Sequence, residues 1–253
     1  MSSSQTCRVV GRILVNNEYE IMKKEILSID SIPAIVWGEE SESIYIFVHG
    51  KMSSKDDAQG FAEKATQKGF QVLSFDLPEH GERKNENYPC MVWNGVHDLS
   101  TVGNYVKRNW NEIYLYGNSL GAYFSLLSYK DYSYIKKCLF LSPILNMERL
   151  IQNMMKWFDV NEQTLKEQGN ILTPMGENLY WDYYCYVKEN PITKWDIPTA
   201  ILYGSEDNLT EREVVEAFTN LFNCDLTILE GGEHWFHNER QLTFYNEWLS
   251  KHI

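Results

Sequence analysis

Apolar residues recur along this chain in two alternating rhythms. Short unbroken runs, such as IYIFVHG at 44–50 and TAILYG at 199–204, end in glycine. Such runs suit strands buried on both faces, because a strand with one wet face alternates apolar and polar positions. Between them lie longer stretches whose apolar residues return every three or four positions, the period of a helix with one buried side. The runs at 44–50, 70–78, 113–117, 138–143, 199–204 and 225–232 are read as strands. Helices are expected over 56–68, 91–109, 119–129 and 211–222, with a last one from about Asn238. Ahead of these, the β-rich segments EIMKKEILSID and IPAIVWG meet at Asp30-Ser31, which predicts a hairpin. Alternating elements with buried strands argue for an α/β fold: a mostly parallel central sheet with helices on both faces.

One interval breaks the rhythm. From Pro143 to Pro198, both included, run 56 residues with no clear strand, whereas a plain crossover needs only about a dozen. The stretch MERLIQNMMKWF is amphipathic at helical spacing. Insertions at the carboxyl ends of strands sit above the sites of α/β sheets. Residues 1–142 and 199–253 are therefore read as the core, and 143–198 as a helical cap, or lid.

Composition sharpens this picture in three places. Aromatics make up 14% of the chain and bunch in the cap interval, at Trp157, Tyr180, Trp181, Tyr183, Tyr184, Tyr186 and Trp195. The net charge of −12, with no basic patch, argues against nucleic acid and anionic membrane surfaces as partners. The five cysteines are scattered with no CxxC pair, which implies free thiols in a reducing compartment and no zinc framework. The first fifteen residues are interrupted by Arg8 and Arg12 and do not read as a secretory signal. No run of eighteen apolar residues suggests a membrane span. A cytoplasmic location is expected, and nothing in the sequence sets an oligomeric state.

The candidate chemistry centres on Gly117-Asn118-Ser119-Leu120-Gly121. A serine between glycines can be a tight turn with a helix cap. The same G-x-S-x-G pattern, placed where a strand meets a helix, is also the signature of an exposed nucleophile. A serine hydroxyl reacts only when a base takes its proton. Such a base, and an acid to orient it, are sought later in the chain. His234 lies in the loop after the last strand, with His237 as the rival base. Asp207 lies in the loop after the preceding strand, with Glu206 as the rival acid. A role for Asp207 as helix cap is weakened by Thr210 and Glu213, which have the spacing of a capping box. A metal on His234 and His237 lacks a third ligand nearby. The KMSS at 51–54 also occurs as a signature in class I aminoacyl-tRNA synthetases, but it lies behind an early strand without its partner motif. Acyl transfer further needs N–H donors aimed at the oxyanion. These are expected from Leu120, which follows the serine, and from Lys51, with Met52 as its neighbour. His49 is read as structural, and DLPEHGERK at 76–84 as a polar surface loop.

Taken together, these segments resemble the α/β-hydrolase superfamily over roughly residues 40–253. The matching residues are His49-Gly50, Asp76-Leu77-Pro78 with His80-Gly81, the 117–121 motif, Gly204 through Asp207, and Gly232-Glu233-His234. The cap interval is similar to that of esterase, lipase-like and serine aminopeptidase-like branches. The resemblance implies Ser119 as nucleophile, His234 as general base and acid, Asp207 as its orienting acid, and an oxyanion hole from the Lys51 and Leu120 N–H groups. Glu79 stands where the family's second loop often has glycine. The Lys51 side chain is unusual in its position, and is expected to point into the acyl pocket and favour an anionic substrate.

The function expected is a serine hydrolase that cleaves small carboxylic esters through an acyl-enzyme, with no metal or organic cofactor. The aromatic cap suggests an apolar or aromatic acyl or alcohol group, with Trp181, Tyr184 and Trp235 as candidate substrate contacts. A thioesterase, amidase or aminopeptidase would use the same three residues. An aminopeptidase also needs acids near its pocket, for which Glu177, Asp182 and Glu189 are available. A non-catalytic ligand-binding protein on the same fold is the alternative of another class.

Overall fold

In the computed structural model, residues 22–253 are described. Cys7, the reading of the first fifteen residues, and the start of the β-rich segment at Glu20 fall outside them. Strands β1 (Lys24–Ile29) and β2 (Ile32–Trp37) form the expected hairpin. Asp30 and Ser31 both take positive φ, 47° and 73°, the turn whose twist matches that of paired strands.

The core continues through β3 (Ser43–Val48), α1 (Gln59–Gln67), β4 (Gln71–Phe75), α2 (Val92–Asn109), β5 (Glu112–Asn118), α3 (Leu120–Tyr129) and β6 (Ile135–Leu141). The interval after β6 holds α4 (Met147–Trp157), α5 (Glu162–Gln168), β7 (Asn170–Leu172), β8 (Asn178–Tyr180) and α6 (Trp181–Glu189). The core resumes with β9 (Thr199–Gly204), α7 (Arg212–Phe222), β10 (Asp225–Leu229) and α8 (Glu239–His252).

Eight strands form one sheet in the order β1-β2-β4-β3-β5-β6-β9-β10, antiparallel at β1-β2-β4 and parallel from β4 onward. The unbroken apolar runs are explained by burial on both sides. Along β3, Ile44, Ile46 and Val48 join a core with α2 and α3, while Tyr45 and Phe47 join a second core with α1 and α8. Leu150, Ile151 and Met155 of α4, and Tyr184 and Val187 of α6, belong to the first core, so the inserted segment packs on the α2–α3 side.

The inserted segment is not all helical, as the sequence suggested. β7 and β8 pair antiparallel as a separate two-stranded sheet. Each has three residues, mostly exposed or half-buried, too short to show a periodic signal.

From β3 the chain steps to β4 on one side and later to β5 on the other. The carboxyl ends of β3 and β5 therefore flank the point where strand order reverses, the place where open α/β sheets bind ligands.

Candidate active site

Ser119 sits between β5 and α3 in a backbone conformation, φ 50° and ψ −114°, that non-glycine residues rarely adopt. Its N–H donates to the Leu141 carbonyl of β6, and its carbonyl accepts from Ala122 and Ile144. These bonds hold the strained turn in place. The flanking glycines answer to close packing. A Cβ on Gly121 would lie 2.4 Å from the carbonyl oxygens of both Val48 and His49. A Cβ on Gly117 would lie 2.9 Å from Ala122 Cα. Gly50, in the loop after β3, approaches so closely that its Cβ would stand 3.2 Å from Ser119 Cβ. Gly121→Ala should therefore cost about 3 kcal/mol or more, since backbone offers no soft side chain to yield. Chemical denaturation tests this, and a loss under about 1 kcal/mol would contradict the packing argument.

His234 lies beyond β10, and Asp207 beyond β9. Their loops are knit together by the Glu206 N–H on the Gly232 carbonyl (2.7 Å) and the Gly231 N–H on Ser205 Oγ (2.8 Å). Gly204 and Gly232 touch so tightly that a Cβ on Gly204 would meet the Gly232 oxygen at 2.4 Å.

This packing creates one hydrogen-bonded chain. Ser119 Oγ lies 2.8 Å from His234 Nε2, and His234 Nδ1 lies 2.7 Å from Asp207 Oδ2. The Asp207 side chain is fully buried. Its other oxygen accepts the N–H groups of Leu209 (2.8 Å) and Thr210 (3.0 Å). With an ionised carboxylate on Nδ1, that nitrogen carries the ring proton, and Nε2 is left to accept from the serine.

The rivals lie elsewhere. Glu206 is exposed. His237 turns its Nδ1 to the Trp235 carbonyl (2.8 Å) and lies beside Glu233. Both nitrogens of His234 are engaged, which leaves neither for a metal. The Thr210–Glu213 capping box does not form, because α7 starts after Glu211. The Thr210 hydroxyl donates to the Pro143 carbonyl instead (3.1 Å).

Leu120 opens α3, so its N–H is among those without a partner inside the helix. Lys51 follows Gly50 in the loop beside Ser119. Its ammonium, expected to face an acyl group, pairs with Glu177 of the inserted segment. His49 is buried and serves structure. Its Nδ1–H donates to the Gly50 carbonyl (2.7 Å), and Nε2 accepts the Leu77 N–H (3.1 Å). Burial pushes this imidazole from 6.5 down to about 4. Between those values the unfolded chain binds a proton that the folded chain refuses, so stability falls as pH drops through that window. The effect is worth roughly 3 kcal/mol. His49→Gln should flatten the difference in unfolding free energy between pH 7 and pH 4, and equal slopes in both proteins would contradict the assignment.

The 76–84 loop is not the polar surface loop that its sequence suggests. Asp76, His80 and Arg83 are buried. Asp76 binds Lys55 through both its Nζ and its N–H, each at 2.9 Å. Arg83 donates to Asp98 at 2.5 Å. Glu79, in place of glycine, takes φ 62° and accepts the Cys90 N–H at 2.6 Å.

The aromatic candidates divide. Tyr184 is fully buried and donates to Glu162 (2.6 Å), tying α6 to α5. Trp181 is half-buried and packs against Tyr184, with ring centroids 6.1 Å apart. Trp235 adjoins His234 but is 74% exposed, stacked on His237. Sequence reasoning passed over Tyr123, one turn beyond Ser119, and noted Tyr183 only among the aromatics of the cap interval. Burial raises both hydroxyls well above their ordinary range; Tyr186 adds to the shift of Tyr123, and Tyr123 to that of Tyr183. The i+4 spacing from Ser119 is the signal that singles out Tyr123.

The fold has counterparts among known proteins. A family described as Serine aminopeptidase, S33 matches residues 39–175, more than half of the chain, including the Ser119 motif. The chain belongs to that family. It is thereby an α/β-hydrolase. Est1E from Butyrivibrio proteoclasticus, with ferulic acid bound, superposes with a TM-score of 0.73 at 18% identity, covering 89% of this chain and 96% of that one. The Pyrococcus furiosus esterase Pf2001 gives 0.66 at 18% identity, covering 94% of each. Mouse alpha/beta hydrolase domain-containing protein 10 gives 0.71 at 14% identity, covering 90% and 99%. At these identities the likeness establishes the fold. No curated protein matches the sequence. Among the described residues, no helix is long and apolar enough to cross a membrane.

Proposed function

We propose that this hydrolase cleaves small carboxylic esters through a covalent acyl-enzyme. The observation that carries the reading is the Ser119–His234–Asp207 chain, with links of 2.8 and 2.7 Å. Ser119 Oγ attacks the acyl carbon as His234 Nε2 takes its proton. Asp207 holds the ring and stabilises the imidazolium that forms. The Lys51 and Leu120 N–H groups receive the oxyanion, aided by the α3 dipole. His234 returns the proton to the departing alcohol. Water then repeats the sequence and releases the acid. The 143–198 segment acts as a lid over this rim, and Trp235 borders the entrance.

The esterase names of two of the neighbours support an ester as substrate, while the family's name favours an amide. The acidic residues of the lid favour the ester. An aminopeptidase must hold a free α-ammonium, yet Glu177 is paired with Lys51, and Asp182 and Glu189 are exposed. A panel of p-nitrophenyl esters, thioesters and amino-acid anilides tests this. Ester kcat/KM should exceed anilide kcat/KM by at least about 100-fold. Preference for the anilides would reverse the assignment.

A further inference from the structure

The turn between β7 and β8 reaches back to the loop beside Ser119. It is closed by the Thr173 N–H on the Glu177 carbonyl (2.7 Å) and the Glu177 N–H on Thr173 Oγ1 (3.2 Å). From there Glu177 Oε2 accepts from Lys51 Nζ, across 126 residues of sequence. The loop it touches is pinned at its ends, by His49 on the Gly50 carbonyl and by Asp57 accepting from Ser53 and Ser54, and the pair with Glu177 falls between them, at its tip. Met52 takes φ 62° and is 92% exposed, so its side chain adds strain without anchoring apolar contact.

Glu79 and Cys90 also face Lys51. Glu79 is committed to the Cys90 N–H, which leaves Glu177 as the direct partner of the ammonium. Both members of the pair are partly exposed, 51% and 30%. Such a pair contributes at most about 1 kcal/mol to stability. Its consequence is positional, because a donor displaced by about 1 Å costs far more in rate than in folding.

We propose that Glu177 is a positioning residue: through the Lys51 ammonium it fixes the loop that carries the Lys51 N–H, so that docking of the β7–β8 turn completes the oxyanion hole. This rests on the reading of Ser119 as nucleophile.

The test measures kcat and KM on a small p-nitrophenyl ester for wild type, Glu177→Gln, Lys51→Met and the double variant, at low salt and at about 1 M salt, with thermal unfolding alongside. Glu177→Gln should lower kcat by about 10- to 100-fold while KM stays within about threefold and the melting temperature hardly moves. The double variant should be no slower than Lys51→Met alone, because Glu177 acts through Lys51. High salt should slow the wild type and leave Glu177→Gln unchanged, since an exposed pair is screened. An active wild type with Glu177→Gln within about twofold in kcat, or additive losses in the double variant, overturns this inference alone. A wild type that neither turns over esters nor takes a fluorophosphonate on Ser119 overturns the nucleophile reading, and this inference with it.

Discussion

Replacing Ser119 with alanine lowers kcat by about 10⁴- to 10⁶-fold and leaves the protein folded. Among the described residues, the hydroxyl hydrogen-bonds to His234 Nε2 alone. Everything that shapes the turn is backbone: the Ser119 N–H on Leu141, and its carbonyl accepting from Ala122 and Ile144. Alanine keeps all of it. The strain at φ 50° is set by the presence of a Cβ, which alanine also has. Unfolding free energy should change by less than about 1 kcal/mol. The check pairs ester turnover with a denaturant titration on the same preparation. A folded variant that retains a tenth of wild-type turnover would remove Ser119 from the chemistry.

Asp207→Asn should lower kcat by about 10⁴-fold, again without unfolding. Asparagine is nearly isosteric, and its carbonyl oxygen can still accept the Leu209 and Thr210 N–H groups. What changes is the edge facing His234. An amide N–H₂ there needs an acceptor, so Nδ1 must give up its proton and Nε2 must carry it. A protonated Nε2 cannot take the proton from Ser119 Oγ. The substitution thus leaves the geometry and reverses the tautomer. Glu206→Gln, one residue away but exposed, should leave kcat within about twofold. Equal losses at both positions would mean that the loop matters for another reason.

These two expectations rest on residues that were legible before any coordinates. The central strands could be read because both their faces are buried, so their apolar runs are unbroken. β9 occupies the 199–204 run itself. Ser119, Asp207 and His234 were legible for a related reason. Parallel strands send all their following loops to one rim, so order along the chain becomes proximity in space. The parts that did not show are those decided by distant partners. His80 and Arg83 look like a surface loop until Asp98, fifteen residues on, is seen to bury the guanidinium. Thr210 and Glu213 have capping spacing, but Asp207 and Pro143 claim Thr210 first. The β7–β8 pair is too short for a period. The place of Lys51 depends on Glu177, which no local pattern links to it. Tyr184 carries the composition of a pocket residue, yet its hydroxyl serves Glu162 inside the inserted segment.

The central claim is that Ser119 is a nucleophile activated by His234. A fluorophosphonate probe tests it most directly, with mass spectrometry locating the adduct in the wild type, Ser119→Ala and His234→Ala proteins. The account predicts one adduct, on Ser119, formed rapidly in the wild type, absent from Ser119→Ala and slowed by at least about 10³-fold in His234→Ala. Labelling of another residue, or labelling of Ser119 at the same rate without His234, would contradict it.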